Sequence, residues 1–224
     1  MKKKLALITL TIVTLFSLNA CGETDVVGEQ SIKSFEEVLA AMPENVSADE
    51  MNGGWAITSP EGNEKFIWSK DFSASAPHDV MLEFDVKPFV DAGLDVNKLP
   101  AGMVIGDKIM VGTTLGDEEI SYEGDVTPLD SYKKIVELKR DQIKYHAELD
   151  HYGIALGDGN MFEWAKDLST NDKDIVFVLN PALFIDAGVD PANVEGWIFA
   201  KVSVMDEDGK PVEVDKFLKP FDIK

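Results

Sequence analysis

The feature that most constrains this chain is that it repeats itself. From Ser34 onward, matching residues recur at a spacing of 97 that shortens to 95 through two small gaps. Ordered self-similarity of this kind sets the architecture before any local propensity does, because each copy has to build the same unit. Ser34 and Phe35 match Ser131 and Tyr132; Trp55 and Ile57 match Tyr152 and Ile154; Gly62 and Asn63 match Gly159 and Asn160. Trp68, Lys70, Asp71 and Ser73 match Trp164, Lys166, Asp167 and Ser169, and Asp79 matches Asp174. Phe89, Asp91, Ala92, Gly93 and Asp95 then match Phe184, Asp186, Ala187, Gly188 and Asp190. The pattern predicts two homologous copies, residues 31–125 and 126–224, each about 90 residues and of a size to be a small domain or half of a larger one.

Local signals agree between the copies. Ser34 to Glu37 has capping-box spacing, and Ile32, Phe35, Leu39 and Met42 follow at helical intervals until Pro43 stops the run. In the second copy Pro128 and Asp130 precede Tyr132, Ile135, Val136 and Ile143 on a more charged helix, which His146 closes. A strand is expected at Trp55–Thr58 (Tyr152–Leu156), then a Gly-Asn turn and a strand at Phe66–Ser69 (Phe162–Ala165). Leu82, Phe84 and Val86 alternate with Glu83 and Asp85, as in a strand with one wet face, whereas Ile175–Leu179 is apolar throughout and reads as buried on both faces. Short helices at Pro88–Ala92 and Pro181–Ala187 end at Gly93 and Gly188 as left-handed caps. Each unit closes with a strand, near Met103–Val111 or Ile198–Val204, and a last hairpin turning at Asp208-Gly209 extends the second sheet. The expected class is α+β, two such units packed as a pseudo-twofold pair.

The N-terminus has a different logic. Lys2, Lys3 and Lys4 precede a fourteen-residue apolar run, Leu5–Leu18, then Asn19, Ala20 and Cys21. That run fits the h-region of an export signal, about 7–15 residues, and falls short of the roughly 20 that span a bilayer. Leu18-Asn19-Ala20-Cys21 resembles the lipobox of bacterial lipoproteins. The resemblance covers residues 1–21 and implies that residues 1–20 are cleaved and that Cys21 becomes a lipidated N-terminus, anchoring the protein outside the cytoplasm at a bacterial cell membrane. Cys21 is the sole cysteine, so it has no internal disulfide partner, and lipidation accounts for it. Residues 21–30, small and acidic, read as a flexible tether. The leader's end, Leu15–Ala20, also resembles peptide pheromones cut from lipoprotein leaders, although export demands the same apolar residues.

Loss of the leader removes three lysines and no acid, taking the net charge from −20 to −23. With a single arginine, Arg140, and no basic cluster, the body offers nothing to neutralise phosphates, which argues against nucleic acid and against electrostatic docking on anionic lipid. The lipid itself is then the membrane contact; a small molecule or an envelope protein is the remaining kind of partner.

Three motifs invite a functional reading. Asp-Ala-Gly-X-Asp (Asp91–Asp95, Asp186–Asp190) could offer oxygens to calcium, but it lacks the EF-hand spacing and is better read as a glycine stop followed by an aspartate cap. Trp-X-Lys-Asp-X-Ser places Trp68, Lys70 and Asp71, and again Trp164, Lys166 and Asp167, where they could line a sugar or anion pocket; the alternative makes each Trp a core anchor and the rest a solvated turn. His146 and His151 lie near Glu148 and Asp150, yet the ligand spacing of a zinc site is missing, so neither metal nor cofactor is expected. No nucleophile elbow, P-loop, dinucleotide fingerprint or haem-attachment motif is present, so nothing in the sequence supports an enzyme. Three functions stay open: a ligand-binding or accessory module with a groove between the copies, a carboxylate-using envelope hydrolase, and an assembly lipoprotein without a small ligand.

Overall fold

The computed structural model describes residues 23–72, 78–117, 120–168, 173–205 and 210–223. The first half runs α1 (Glu23–Ala41), β1 (Val46–Asp49), β2 (Gly54–Thr58), β3 (Glu64–Trp68), β4 (Val80–Asp85), α2 (Lys87–Asp91), β5 (Val104–Ile105) and β6 (Lys108–Thr113). The second runs α3 (Pro128–Leu138), β7 (Ile143–His146), β8 (His151–Ala155), β9 (Met161–Ala165), β10 (Ile175–Leu179), α4 (Ala182–Asp186), β11 (Ile198–Met205) and β12 (Pro211–Phe221). The strands form two six-stranded sheets, ordered β1-β2-β3-β4-β6-β5 and β7-β8-β9-β10-β12-β11. Every pairing is antiparallel, so the class is α+β and the two sheets follow one plan.

Side-chain alternation explains how the sheets meet. Along β3, Phe66 and Trp68 share a face, as Phe162 and Trp164 do along β9, and these two faces turn toward each other. Phe66 stacks on Phe162 with centroids 4.1 Å apart and planes 6° apart. Both indoles are fully buried, and both contact Phe35 of α1, at 5.5 Å from Trp68 and 5.1 Å from Trp164. A single apolar cluster takes in residues of both halves.

Each half's first helix fastens to the other half's sheet. Ser34 Oγ on α1 donates to the Ala165 carbonyl after β9 (2.9 Å), and Ser131 Oγ on α3 donates to the Ser69 carbonyl after β3 (2.7 Å). Between them Phe35 lies against Tyr132, with centroids 4.2 Å apart. The short helices are cross-linked in the same reciprocal way: Asp95 N–H donates to Ala187 O (3.0 Å) and Asp190 N–H to Ala92 O (2.8 Å). Both aspartates also cap the following turn, accepting from the backbone of Asn97 and Ala192, which is the structural use of the Asp-Ala-Gly-X-Asp motif.

Several elements depart from the sequence expectation. Ser34 caps nothing, because it lies inside α1, which is described from Glu23 onward, and residues 23–30, expected as tether, belong to that helix. Gly28 is buried where an added Cβ would meet Val136 Cγ1 at 3.0 Å, so α1 and α3 approach closely there. The capping box belongs to α3, between Thr127 and Asp130. That helix stops at Leu138, and Ile143 to His146, expected as its end, are strand β7 instead. Glu83 does not face water: it is buried and paired with Lys65 at 3.0 Å. The final hairpin is no mere extension, since β12 inserts between β10 and β11. Residues 1–22, including Cys21, and Ser73, Ser169, Asp208 and Gly209 lie outside the described residues.

Candidate functional site

The indoles of the two Trp-X-Lys-Asp-X-Ser segments converge in the core and do not line a surface pocket. Trp68 Nε1 donates to the Pro128 carbonyl (3.3 Å), while Trp164 Nε1 has no partner among the described residues. Trp55 is half-buried on the core face and Tyr152 is buried, so neither aromatic pair lines an open groove. Lys70 and Lys166 are exposed; the Lys70 carbonyl accepts from Tyr122 OH, and Lys166 lies 3.4 Å from Asp150 and over the Tyr145 ring at 5.4 Å. Asp71 is half-buried and Asp167 exposed, each on the chain leaving its strand.

A polar cleft does open between the halves, built from residues that no motif marks. It holds about 270 Å³ and is lined by Asn63, Glu64, Asp85 and Pro88 from the first half and Glu195, Gly196, Trp197 and Lys219 from the second. At its base Lys219 Nζ lies 3.2 Å from Glu64 Oε1, the two side chains only 15% and 6% exposed. Ser59 Oγ donates to the other carboxylate oxygen of Glu64 at 2.7 Å. Asp85 is held by Lys108, and Trp197 packs its ring on Phe84 (5.4 Å).

The strand register shows that this charge pair has no counterpart. Ser59 N–H donates to Glu64 O, and Leu156 N–H donates to Asn160 O, so Asn160 occupies the place of Glu64. Lys219 pairs with Phe177 on β10, and Val111 pairs with Leu82 on β4, so Val111 occupies the place of Lys219. The same comparison shifts the sequence match of Asn63 with Asn160 by one residue, because the β2–β3 turn is one longer than the β8–β9 turn. A faint sequence signal for the cleft existed: Glu64 and Lys219 each take an inward place in an alternating apolar set, Glu64-Phe66-Trp68 and Phe217-Lys219-Phe221. A second, more open hollow of about 450 Å³ lies beside α4 and β12, lined by Asn180, Asp186, Asp215 and Lys216 among others.

Titratable groups elsewhere serve the fold or stand apart. Burial raises the Asp79 carboxyl above its usual range, partly offset by the backbone N–H groups of Leu115 and Gly116, which donate to Oδ2 at 2.5 and 3.4 Å. His146 and His151, expected on different elements, face each other across β7 and β8. Both lie within ion-pair range of the buried Glu163, at 3.8 and 3.9 Å. Among the described residues no group of three or more His, Cys, Asp or Glu side chains is already spaced as a metal site. None of the helices described is long and apolar enough to cross a membrane. Compared with protein-family models, curated proteins and solved structures, the chain matches none.

Proposed function

We propose that this chain is an extracytoplasmic lipoprotein, held at a bacterial cell membrane by lipid on Cys21, whose body is a duplicated α+β unit acting as a ligand-binding or accessory module. The duplication is supported by the shared strand order and by reciprocal contacts that pair matching residues, such as Ser34 with Ser131 and Asp95 with Asp190. Those contacts are what a pseudo-twofold axis would produce.

One observation carries the binding role: the cleft between the halves contains a buried ion pair at one of two equivalent places, where the other has Asn160 and Val111. Buried ion pairs seldom raise stability over apolar residues of similar size, so a buried pair at this cleft with no counterpart in the other half favours a use beyond folding. The lining holds three carboxylates, Glu64, Asp85 and Glu195, against one lysine, which suits a small polar ligand carrying a positive group. The hydrolase alternative calls for carboxyls raised together in one cleft; among the described residues the raised carboxyl, Asp79, instead binds the backbone after β6. An assembly role draws on the exposed Ile198, Phe199 and Val212 of the β11–β12 ribbon.

Mass spectrometry of the membrane fraction tests the anchor, with a diacylglyceryl Cys21 at the mature N-terminus expected and an unmodified Cys21 contradicting it. A thermal-shift screen of small amines and zwitterions tests the cleft. Binders should lose at least about tenfold in affinity in Glu195→Gln, the change in one charged contact that about 1.4 kcal/mol represents. A hit indifferent to Glu195 and Asp85 would bind elsewhere and remove the cleft from the proposal.

A further inference from the structure

The outer face of the second sheet carries a polar cluster that neither the fold nor the cleft uses. His146 on β7 and His151 on β8 are cross-strand partners, and Glu163 on β9 lies opposite Gly153, two residues beyond His151. By alternation all three side chains leave the same face, opposite to Tyr152, Phe162 and Trp164. Glu163 Oε1 lies 3.8 Å from His146 Nε2, and its Oε2 lies 3.9 Å from His151 Nδ1. These separations are too long for hydrogen bonds. Glu163 is 7% exposed and His151 4%, and both nitrogens of His151 and Nε2 of His146 are buried with no partner among the described residues.

A carboxylate between two imidazoles, with buried donor atoms spent on nothing else, is a set of metal-ligand groups rather than a folding device. The space is kept open by Gly153, where an added Cβ would meet Met161 Cε at 2.8 Å and Glu163 Cγ at 3.2 Å. The first half shows that the fold itself has no need of the cluster. Its register-equivalent residues are Asp49, Gly54 and Ile67, and Ile67 belongs to an apolar patch with Ala56, Met81 and Met110.

We propose that His146, His151 and Glu163 bind one divalent transition-metal ion of the zinc and nickel class, which would tie the β7–β8 hairpin to β9. Two nitrogens and an oxygen suit such an ion better than calcium or magnesium, which prefer all-oxygen shells. Two ligands on tetrahedral zinc stand about 3.3 Å apart at bonds of 2.0–2.1 Å, so each of the two His–Glu approaches, which use different oxygens of Glu163, has to close by about half an ångström or more. Rotation about the side-chain torsions of His and Glu spans that distance. Glu148, 3.9 Å from His146 Nδ1, is placed to orient that ring from the second coordination layer, and Glu163 also acts electrostatically on Lys216.

The test is calorimetric titration of the untagged mature protein, freed of metal, with Zn²⁺ and separately with Ni²⁺, beside Ca²⁺ as a control for the acidic surface. One equivalent of Zn²⁺ or Ni²⁺ should bind and raise the melting temperature, with Ca²⁺ doing neither. Affinity should fall in acid, because protons compete with the metal for its ligand atoms. Glu163→Gln and His151→Asn should each weaken binding at least tenfold, since loss of even an outer-shell partner of a ligand costs about 10–100-fold. The less buried His146→Asn gives the same reading if the His151 variant fails to fold. Absence of a one-equivalent step, or a step that His146→Asn and Glu163→Gln leave unchanged, overturns the proposal.

Discussion

Along β3 the side chains of Glu64, Phe66 and Trp68 point inward together, and along β12 those of Phe217, Lys219 and Phe221 do so, which leaves one charge on each strand facing the interior. The misfit of each was legible in the alternation, but their meeting was not, because the two residues stand far apart in the chain and only sheet packing brings them together. Removing one partner leaves the other charge buried. Lys219→Val or Glu64→Asn alone should therefore cost about 3–5 kcal/mol. The double variant, which reproduces Val111 and Asn160 of the equivalent place, should recover most of that loss in urea unfolding. Additive losses would show that the pair is not coupled. Asp79 gives a pH-dependent case. Its carboxyl is raised on folding by burial, so its contribution is fully present below the unfolded value, about 3.9, and is lost as pH rises through the folded value. Asp79→Asn, fixed in a neutral form, should gain on the parent protein between about pH 4 and pH 7, as measured by unfolding at both ends.

At the scale of elements, the short helices behave as their sequences require. Gly93 and Gly188 have φ of 105° and 107°, ending α2 and α4 as expected of left-handed caps. What the motif did not reveal is that each glycine lies against the other's carbonyl: a Cβ on Gly93 would come within 2.8 Å of Gly188 O. Gly62 has a φ of 81° but open space around it, so Gly62→Ala tests backbone conformation alone. Gly93→Ala should lose more than Gly62→Ala, by about 1–3 kcal/mol in chemical unfolding, and equal losses would mean that the close approach is relieved elsewhere. The edge strands were the elements least visible in sequence. β1 and β7 have four residues each, with burial running half-exposed, exposed, exposed, half-exposed in one and buried, exposed, exposed, half-exposed in the other. Neither carries a period-2 signal, so the helical spacing ahead of Ile143 ran on unopposed and hid the pairing of His146 with His151.

For the whole molecule, the decisive fact is that the halves do not own separate cores. Phe35 touches Trp68 and Trp164, Phe66 stacks on Phe162, and Phe89 lies 5.0 Å from Phe184. Unfolding should then be a single transition in which tryptophan fluorescence and far-ultraviolet circular dichroism coincide, with equal calorimetric and van't Hoff enthalpies. Two resolved transitions would contradict the shared core. Residues 126–224 expressed alone should not fold cooperatively, since they lose the Phe35 and Phe66 rings that cover Trp164 and Phe162. The sequence by itself determined the α+β class, the strands of each half from β2 through β4 and β8 through β10, and the glycine stops with their aspartate caps, because these rest on periodicity and backbone preference within a few residues. Only the tertiary structure decided that each first helix fastens to the opposite sheet, that the repeated Trp-X-Lys-Asp segments supply core rings, and that Glu64 meets Lys219 and Glu163 meets two histidines. Those pairings arise where the chain closes on itself across long separations, and local chemistry carries no record of which distant face will arrive.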